Sequence, residues 1–242
     1  MSRAPFTALA EVYDVIMADV EYDDWAAYIL RLARERGWRG GAALDVGCGT
    51  GNATVPMRAR GVEVSGLDGS QAMLRVAQRK LPSVRFYRSD FRTMRLPERF
   101  TLVYSVFDAL NNLLEPSGFE AMARRVFDHL LPGGLFIFDV NTTVGLRDLW
   151  EGGRVEGWAD EVYYRWVHSF DEGTALAKVE AFCETEDGPF TEIHYERPYD
   201  PPEATRLLEA AGFTGVEALS YPSGEPAPDD AARVWMVARR SA

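Results

Sequence analysis

A glycine-rich turn that directly follows a short, mostly apolar run constrains the fold of this chain more than any other feature. Residues 42–46 read Ala-Ala-Leu-Asp-Val, which is typical of a strand buried on both faces of a parallel sheet. Gly47, Gly49 and Gly51 follow, and residues 52–60 favour a helix. Alternate glycines remove the β-carbons that would keep a flat ligand from the backbone, and they permit positive φ angles. The pattern predicts a strand, a turn and a helix, and the turn either binds a ligand or only connects the two elements tightly.

A second predicted strand, residues 62–68, ends in the acidic residue Asp68. A carboxylate at this point can accept hydrogen bonds from both hydroxyl groups of a ribose, as in dinucleotide-binding folds. Those folds also need a third glycine, at position 52, so that the helix can approach a pyrophosphate, and this chain has Asn52 there. The sequence contains no Walker-type Gly-Lys-Ser/Thr motif. A ribose without phosphates is therefore the favoured ligand, and a nicotinamide dinucleotide is disfavoured.

A third strand, predicted over residues 84–88, is followed by Ser89, Asp90 and Phe91. The carboxylate can accept a hydrogen bond from the exocyclic amine of adenine, and the ring can pack against the face of the base. With this segment the chain resembles the class I S-adenosylmethionine-dependent methyltransferases. The residues that carry the family's motifs, in the family's order, are 44–51, 66–70, 89–91 and 131–134.

The resemblance implies a fold, a cofactor and a set of residues that bind it. The fold would be α/β, with a doubly wound, seven-stranded, mostly parallel sheet whose last strand runs antiparallel to the others. The cofactor would be S-adenosylmethionine. The implied cofactor-binding residues are Tyr13, Gly47, Cys48, Gly49, Gly51, Asp68, Gly69, Met73, Asp90, Phe91 and Val106. In relatives with Tyr-Asp near the N-terminus the tyrosine closes over the cofactor as a lid, although Tyr13 also fits a half-buried core position.

The sequence pattern changes between residues 143 and 200, where three strands joined by tight turns are predicted to form an antiparallel meander. The three strands span residues 162–170, 175–184 and 190–199. We therefore divide the chain into a methyltransferase core, residues 1–142 plus 201–242, and an inserted β-lobe, residues 143–200, that caps the substrate crevice. The lobe holds nine more acidic than basic residues. Most of these acids are expected on a solvated outer face of its sheet.

Two polar residues are candidates for catalysis. Asp108 follows a buried strand predicted over residues 100–106, and open α/β sheets bind ligands outside the carboxyl ends of their strands. His194 alternates with Glu192 and Glu196 on one face of a lobe strand. Asp108 and His194 are predicted to be the polar groups nearest the reactive methyl group, although Asp108 could instead cap a turn. The sequence contains no constellation for a covalent nucleophile, which favours direct in-line transfer.

The methyl acceptor is predicted to be a small molecule and, narrowly, an amine, because an acidic lobe would attract cations. One alternative is a hydroxyl acceptor that uses Asp108 or His194 as its base. Another is a carboxylate acceptor held by Arg165 or Arg197. A protein that binds the cofactor without catalysing a reaction is a third.

Composition argues against several other classes of protein. The net charge of −11 disfavours a nucleic-acid partner, which needs a basic face. Two cysteines and three histidines without close pairs argue against a metal site. No apolar run approaches the roughly 20 residues of a membrane helix, and the N-terminus does not read as a signal peptide. A cytoplasmic enzyme without disulfides is expected.

Overall fold

The computed structural model of the protein describes residues 2–150 and 153–241, which form two β-sheets with most helices packed around the larger one. In chain order the elements are β1 (Ser2–Arg3), a first 3-10 helix (Leu9–Glu11), α1 (Tyr13–Ile16), α2 (Tyr22–Glu35), β2 (Ala43–Val46), α3 (Thr54–Ala59), β3 (Val64–Asp68), α4 (Gln71–Lys80), β4 (Arg85–Arg88), β5 (Phe100–Ser105), a second 3-10 helix (Ala109–Asn112), α5 (Pro116–His129), β6 (Leu130–Asn141), α6 (Thr143–Trp150), β7 (Arg154–Ala159), β8 (Val162–Asp171), β9 (Leu176–Thr185), β10 (Gly188–Glu196), α7 (Pro201–Ala210), β11 (Phe213–Leu219) and β12 (Arg233–Arg240).

The larger sheet has seven strands in the order β11-β12-β6-β5-β2-β3-β4. Neighbouring strands from β6 to β4 pair in parallel, and β12 runs antiparallel between β11 and β6. This arrangement confirms the predicted doubly wound, mostly parallel α/β fold. The glycine-rich turn after β2 and the acid at the end of β3 therefore lie at the same edge of the sheet.

Alternating side chains of the central strands make a separate core on each face of the larger sheet. On β5, Leu102 and Tyr104 belong to the core under α2 and α3, whereas Val103 belongs to the core under α5 and α7. All three side chains are fully buried. Because both faces are covered by helices, the central strands need apolar residues at successive positions, as the sequence has them.

The smaller sheet is an antiparallel meander of β7, β8, β9 and β10, with β1 added in parallel to β10. Strands β7 to β10 all lie between residues 143 and 200. The division of the chain into a core and a capping lobe stays a prediction. None of the helices in the described ranges is long and apolar enough to cross a membrane.

Two acids on β10 are exceptions to the expectation that most of the lobe's acids are solvated. Glu192 and Glu196 lie on one face of the strand with His194 between them, and all three side chains are buried. Glu192 is 0% exposed. The shared face is as predicted, and these two glutamates are buried because their carboxylates accept hydrogen bonds from distant parts of the chain.

Candidate active site

A cavity of about 1280 Å³ opens at the carboxyl ends of β2, β3 and β5. Its wall comes from the turns after β2 and β3, the segment after β5, the N-terminal residues up to the start of α2, and the hairpin between β9 and β10. Open α/β sheets bind their ligands at this edge. The volume is larger than the roughly 300–1,000 Å³ of a typical ligand pocket, so a nucleoside cofactor and a small acceptor fit together.

The glycine-rich turn lines the cavity beside β2. Gly47, Cys48 and Gly49 face the cavity, and the two glycines have φ angles of 74° and 53°. A β-carbon at Gly47 would lie 2.8 Å from the β-carbon of Ala109, so this position needs glycine for space as well as for conformation. A β-carbon at Gly49 would meet no described atom within 4 Å, which leaves the backbone open to a ligand. Gly51 is not among the described residues that line the cavity, and its binding role stays a prediction.

Asp68 presents a carboxylate of fixed orientation at the end of β3. Its Oδ2 accepts a hydrogen bond from the backbone N–H of Gly49 at 2.9 Å, and its Oδ1 accepts one from that of Ser70 at 2.7 Å. Burial raises the pKa of this carboxyl group, and the backbone hydrogen bonds oppose that rise. Asp68 and the neighbouring Gly69 both line the cavity. Each carboxylate oxygen keeps a lone pair that can accept a hydroxyl hydrogen of a ribose.

Asp45, on β2, is a cavity residue that the sequence reasoning did not single out. Its Oδ2 accepts hydrogen bonds from the hydroxyl groups of Thr54 at 2.6 Å and Tyr104 at 3.2 Å. Burial raises the pKa of the carboxyl group to about 7, although both hydrogen bonds lower it. The signal that could have identified Asp45 is a single acid within an otherwise apolar strand, since such a residue needs partners of its own.

Met73 and Phe91 line the cavity on the side of β4, where an adenine is expected. Asp90 does not line it among the described residues, and its carboxylate accepts a hydrogen bond from the guanidinium of Arg92 at 2.5 Å. That hydrogen bond lowers the pKa of Asp90 and keeps it ionised. The structure thus brings together Met73 and Phe91, while adenine binding by Asp90 stays a prediction.

The N-terminal segment places two tyrosines, Tyr13 and Tyr22, on the cavity wall. Asp14 holds this segment to the larger sheet's side of the cavity, since its carboxylate accepts from the Thr50 hydroxyl at 2.6 Å and pairs with the Lys80 ammonium at 2.6 Å. Burial and the neighbouring Tyr22 raise the pKa of Tyr13. Burial also raises the pKa of Tyr22. Both phenols are therefore neutral donors at physiological pH.

The segment after β5 adopts a conformation that few side chains accept. Phe107 and Asp108 have φ angles of 60° and 52°, in the left-handed region. Such residues cost about 1–3 kcal/mol each and cluster at functional sites. The turn brings Val106, Phe107 and Asn112 to the cavity wall. The Phe107 ring lies edge-on to Tyr22, with centroids 5.9 Å apart. We call the part of the wall made by Tyr13, Tyr22, Phe107, Ala109 and Asn112 the acceptor end.

Asp108 belongs to a partly buried charge cluster behind the acceptor end and is not among the described lining residues. Its Oδ1 lies 2.9 Å from Nη2 of Arg233, whose Nη1 lies 3.2 Å from Oδ2 of Asp139. Burial raises the pKa of Asp139 to about 6, although Arg233 lowers it. Burial and Asp108 also raise the pKa of Glu196 well above its usual range. The carboxylate of Asp108 is thus paired with Arg233, and a role for Asp108 as a base stays a prediction.

His194 also lies behind the wall rather than on it, among the residues described. The imidazole is edge-on to the Phe6 ring at 4.5 Å, and its Nε2 is 3.4 Å from Oε2 of Glu192. Its side chain is 8% exposed. The structure therefore does not bring Asp108 and His194 to the cavity together, and a catalytic role for His194 stays a prediction.

Comparison with known proteins identifies the family. The family model of a methyltransferase domain matches residues 43–134. An amino-sugar N,N-dimethyltransferase of Streptomyces fradiae, named for dTDP-3-amino-3,6-dideoxy-α-D-glucopyranose, is 30% identical over 69% of this chain and 67% of its own. The chain belongs to the class I S-adenosylmethionine-dependent methyltransferases. A second N,N-dimethyltransferase, of Streptomyces venezuelae and named for dTDP-3-amino-3,4,6-trideoxy-α-D-glucopyranose, is 27% identical over 89% of this chain and 94% of its own.

A solved structure agrees with this methyltransferase assignment over nearly the whole chain. The crystal structure of an S-adenosylmethionine-dependent methyltransferase from Clostridium acetobutylicum is 25% identical, with a TM-score of 0.85 and coverage of 97% of this chain and 98% of that one. S-adenosylmethionine is therefore the cofactor of this enzyme. The cavity suits it, since open space above Gly49 and Gly69 leaves room for a nucleoside. Nine of the 11 residues predicted to bind the cofactor line the cavity, the exceptions being Gly51 and Asp90.

Proposed function

We propose that this methyltransferase methylates the nitrogen atom of a small-molecule amine. The observation that carries the proposal is the character of the acceptor end, whose described residues are aromatic, aliphatic or amide and carry no charge. A neutral amine attacks through its own lone pair, so it needs no base that removes a proton beforehand. A hydroxyl acceptor would need such a base at this end.

When bound, S-adenosylmethionine supplies the methyl carbon, which the nitrogen lone pair attacks as the carbon–sulfur bond breaks and leaves its electron pair on sulfur. The protein's own contribution is alignment and the exclusion of water, which together supply several kcal/mol of barrier reduction in oriented reactions. Tyr13 and Tyr22 can orient the amine as hydrogen-bond donors or acceptors. The faces of Tyr22 and Phe107 favour the cationic methylated nitrogen that forms, by about 0.5–2 kcal/mol for a well-placed cation.

Charges at the rim of the cavity also support a cationic acceptor. Four exposed acids line the cavity and outnumber its two exposed basic lining residues, Arg75 and Arg88; the acids are Glu11, Glu161, Glu186 and Asp187. Their combined field raises the local concentration of protonated amines and repels anions, and this attraction falls as salt is added. The proton that makes the amine cationic in solution is released to rim water before the lone pair attacks.

The two curated relatives described above support the same chemistry. Both are named as N,N-dimethyltransferases of amino sugars, and both align with most of this chain. A nitrogen acceptor carried by a small, polar molecule is the feature they share. The proposal takes from them the acceptor atom, an amine nitrogen.

We expect turnover with amines in a panel of matched amine, hydroxyl and carboxylate acceptors, assayed by transfer of a labelled methyl group. For a cationic amine, kcat/KM should fall several-fold between about 50 and 500 mM salt, because the rim attraction is screened. The double variant Glu186→Gln, Asp187→Asn should lose most of this salt dependence. Glu184→Gln, an exposed acid that is not among the described lining residues, is the matched control and should keep it. Turnover confined to carboxylates, or rising with salt, would contradict the proposal.

A further inference from the structure

One buried carboxylate, that of Glu192 on β10, accepts hydrogen bonds from four consecutive backbone N–H groups near the N-terminus. The donors are Phe6 at 2.7 Å, Thr7 at 3.1 Å, Ala8 at 2.7 Å and Leu9 at 3.0 Å. These amides precede and begin the first 3-10 helix, where backbone donors have no partner within the helix. A carboxylate is the strongest acceptor that side chains offer to such donors. The smaller sheet therefore holds the N-terminal segment through this side chain as well as through the pairing of β1 with β10.

The same segment forms part of the cofactor cavity. Phe6, Thr7 and Ala8 all line it. The Phe6 carbonyl oxygen accepts a hydrogen bond from the hydroxyl of Ser70 at 2.5 Å, just after the cavity residue Asp68. The segment is thus fastened to the smaller sheet through Glu192 and to the larger sheet through Ser70. Both attachments involve Phe6, so this part of the cavity wall is linked to both sheets.

We propose that Glu192 is a positioning residue whose carboxylate holds residues 6–13 closed over the bound cofactor. The proposal goes beyond the choice of acceptor, since it concerns how the bound cofactor is enclosed. It assigns a function to an acid that nothing in the mechanism of methyl transfer requires. Opening the segment would uncover the carboxylate and leave four amides to water, so the closed position is favoured as long as Glu192 is ionised.

The surroundings of Glu192 keep it ionised. Burial by itself raises the pKa of the carboxyl group, but the contact with His194 and the hydrogen bonds from the N-terminal amides outweigh it and lower the pKa. The His194 ring is in turn covered by Phe6, a member of the segment that Glu192 holds. Lifting the segment would therefore expose the histidine as well.

The test uses the full-length enzyme and its product S-adenosylhomocysteine. Glu192→Gln keeps the size of the side chain but replaces one acceptor oxygen by an NH2 group. The hydrogens of this group would face those of the backbone amides, which are donors too. We expect its Kd for S-adenosylhomocysteine, by calorimetry, to rise about tenfold, as for loss of charge-assisted hydrogen bonds. Hydrogen exchange of residues 6–13 should become faster and should lose most of its protection by ligand. Glu192→Asp, which keeps the charge, should recover part of both effects.

Kinetics separate a positioning role from a merely structural one. An opened segment raises KM for S-adenosylmethionine, whereas a smaller folded fraction lowers kcat in proportion and leaves KM unchanged. Glu180→Gln is the matched control, because this exposed acid on β9 of the same sheet pairs only at the surface with Lys178, among the described residues. It should behave as wild type. Because binding of S-adenosylhomocysteine is measured without any acceptor, the result is independent of the proposed amine specificity.

A second variant removes one donor and leaves the sheet intact. Ala8 has a φ of −74°, which proline can adopt, and Ala8→Pro deletes an N–H that donates to Glu192. It should weaken S-adenosylhomocysteine binding a few-fold and speed exchange of residues 6–13. If Glu192→Gln fails to fold, Ala8→Pro decides alone. Wild-type affinity together with wild-type exchange in the variants that fold would overturn the proposal.

Discussion

Replacing Asp68 by alanine should weaken the binding of S-adenosylhomocysteine tenfold or more. The carboxylate is oriented by the amides of Gly49 and Ser70 at 2.9 and 2.7 Å, and it faces the cavity. Losing hydrogen bonds to a buried carboxylate costs about 1.5–3 kcal/mol, and each 1.4 kcal/mol is about tenfold in affinity. The variant also leaves two turn amides without their acceptor, which loosens the glycine-rich turn. Calorimetric titration of wild type and variant measures the effect.

The control for Asp68→Ala is an acid next to the opposite end of the same strand. Glu63 is exposed and precedes β3, so Glu63→Ala should keep wild-type affinity. Melting without ligand, recorded for both variants, separates lost binding from lost folding. Unchanged affinity of folded Asp68→Ala would remove Asp68 from the cofactor site, whatever the acceptor is.

Features built from neighbouring residues could be predicted from the sequence. The glycine-rich turn and Asp68 follow predicted strands, so the parallel fold brings them to one edge. Ser70 is a similar case, since its hydroxyl accepts from the Met73 N–H at 3.2 Å and begins α4 as a side-chain cap. In each case the residue type and a short spacing determine the geometry.

Contacts between distant parts of the chain could not be predicted in this way. Asp108 and Arg233 are 125 residues apart, and Glu192 and Leu9 are 183 apart. The alternation on β10 indicates a shared face, but it does not say whether water or a backbone amide meets each carboxylate. The prediction that Asp108 lies near the reactive methyl group was made from its position after a strand, which does not reveal its ion pair with Arg233.

Helix α6 and strand β7 were missed for a local reason. Gly145 and Gly157 interrupt the pattern, because glycine weakens both helices and strands. In the structure Gly145 of α6 packs against the backbone of Ala232. A β-carbon added at Gly145 would lie 1.9 Å from the carbonyl oxygen of Ala232. The glycine is required by a close approach of two backbone segments, which the sequence alone does not reveal.

Arg233→Met should lower the free energy of unfolding by about 3–5 kcal/mol, the usual cost of leaving a buried carboxylate, here that of Asp139, without its partner. For a chain of this size that corresponds to a fall in Tm of roughly 6–20 °C. Arg233 lies between Asp108 and Asp139 at 2.9 and 3.2 Å, and Glu196 adds a third carboxyl group to the cluster. Methionine fills a similar volume without charge, so the loss reports uncompensated carboxylates rather than a cavity.

The pH dependence of the destabilisation by Arg233→Met shows whether uncompensated carboxylates cause it. Burial raises the folded-state pKa of Asp139 to about 6, although the charge of Arg233 lowers this pKa. Removing Arg233 should therefore raise the pKa of Asp139 further. A raised folded-state pKa means that the unfolded chain binds fewer protons between about pH 4 and that pKa, so stability falls as pH rises through this window. The destabilisation of Arg233→Met should therefore be small at pH 5 and should grow towards pH 8.

Urea unfolding at both pH values measures this destabilisation. Arg124→Met is the control, since the exposed pair of Arg124 with Glu120 is worth about 0–1 kcal/mol. A loss of equal size at both pH values would mean that Arg233 acts through packing, including its contacts over the Trp25 and Phe107 rings at 5.6 and 5.8 Å.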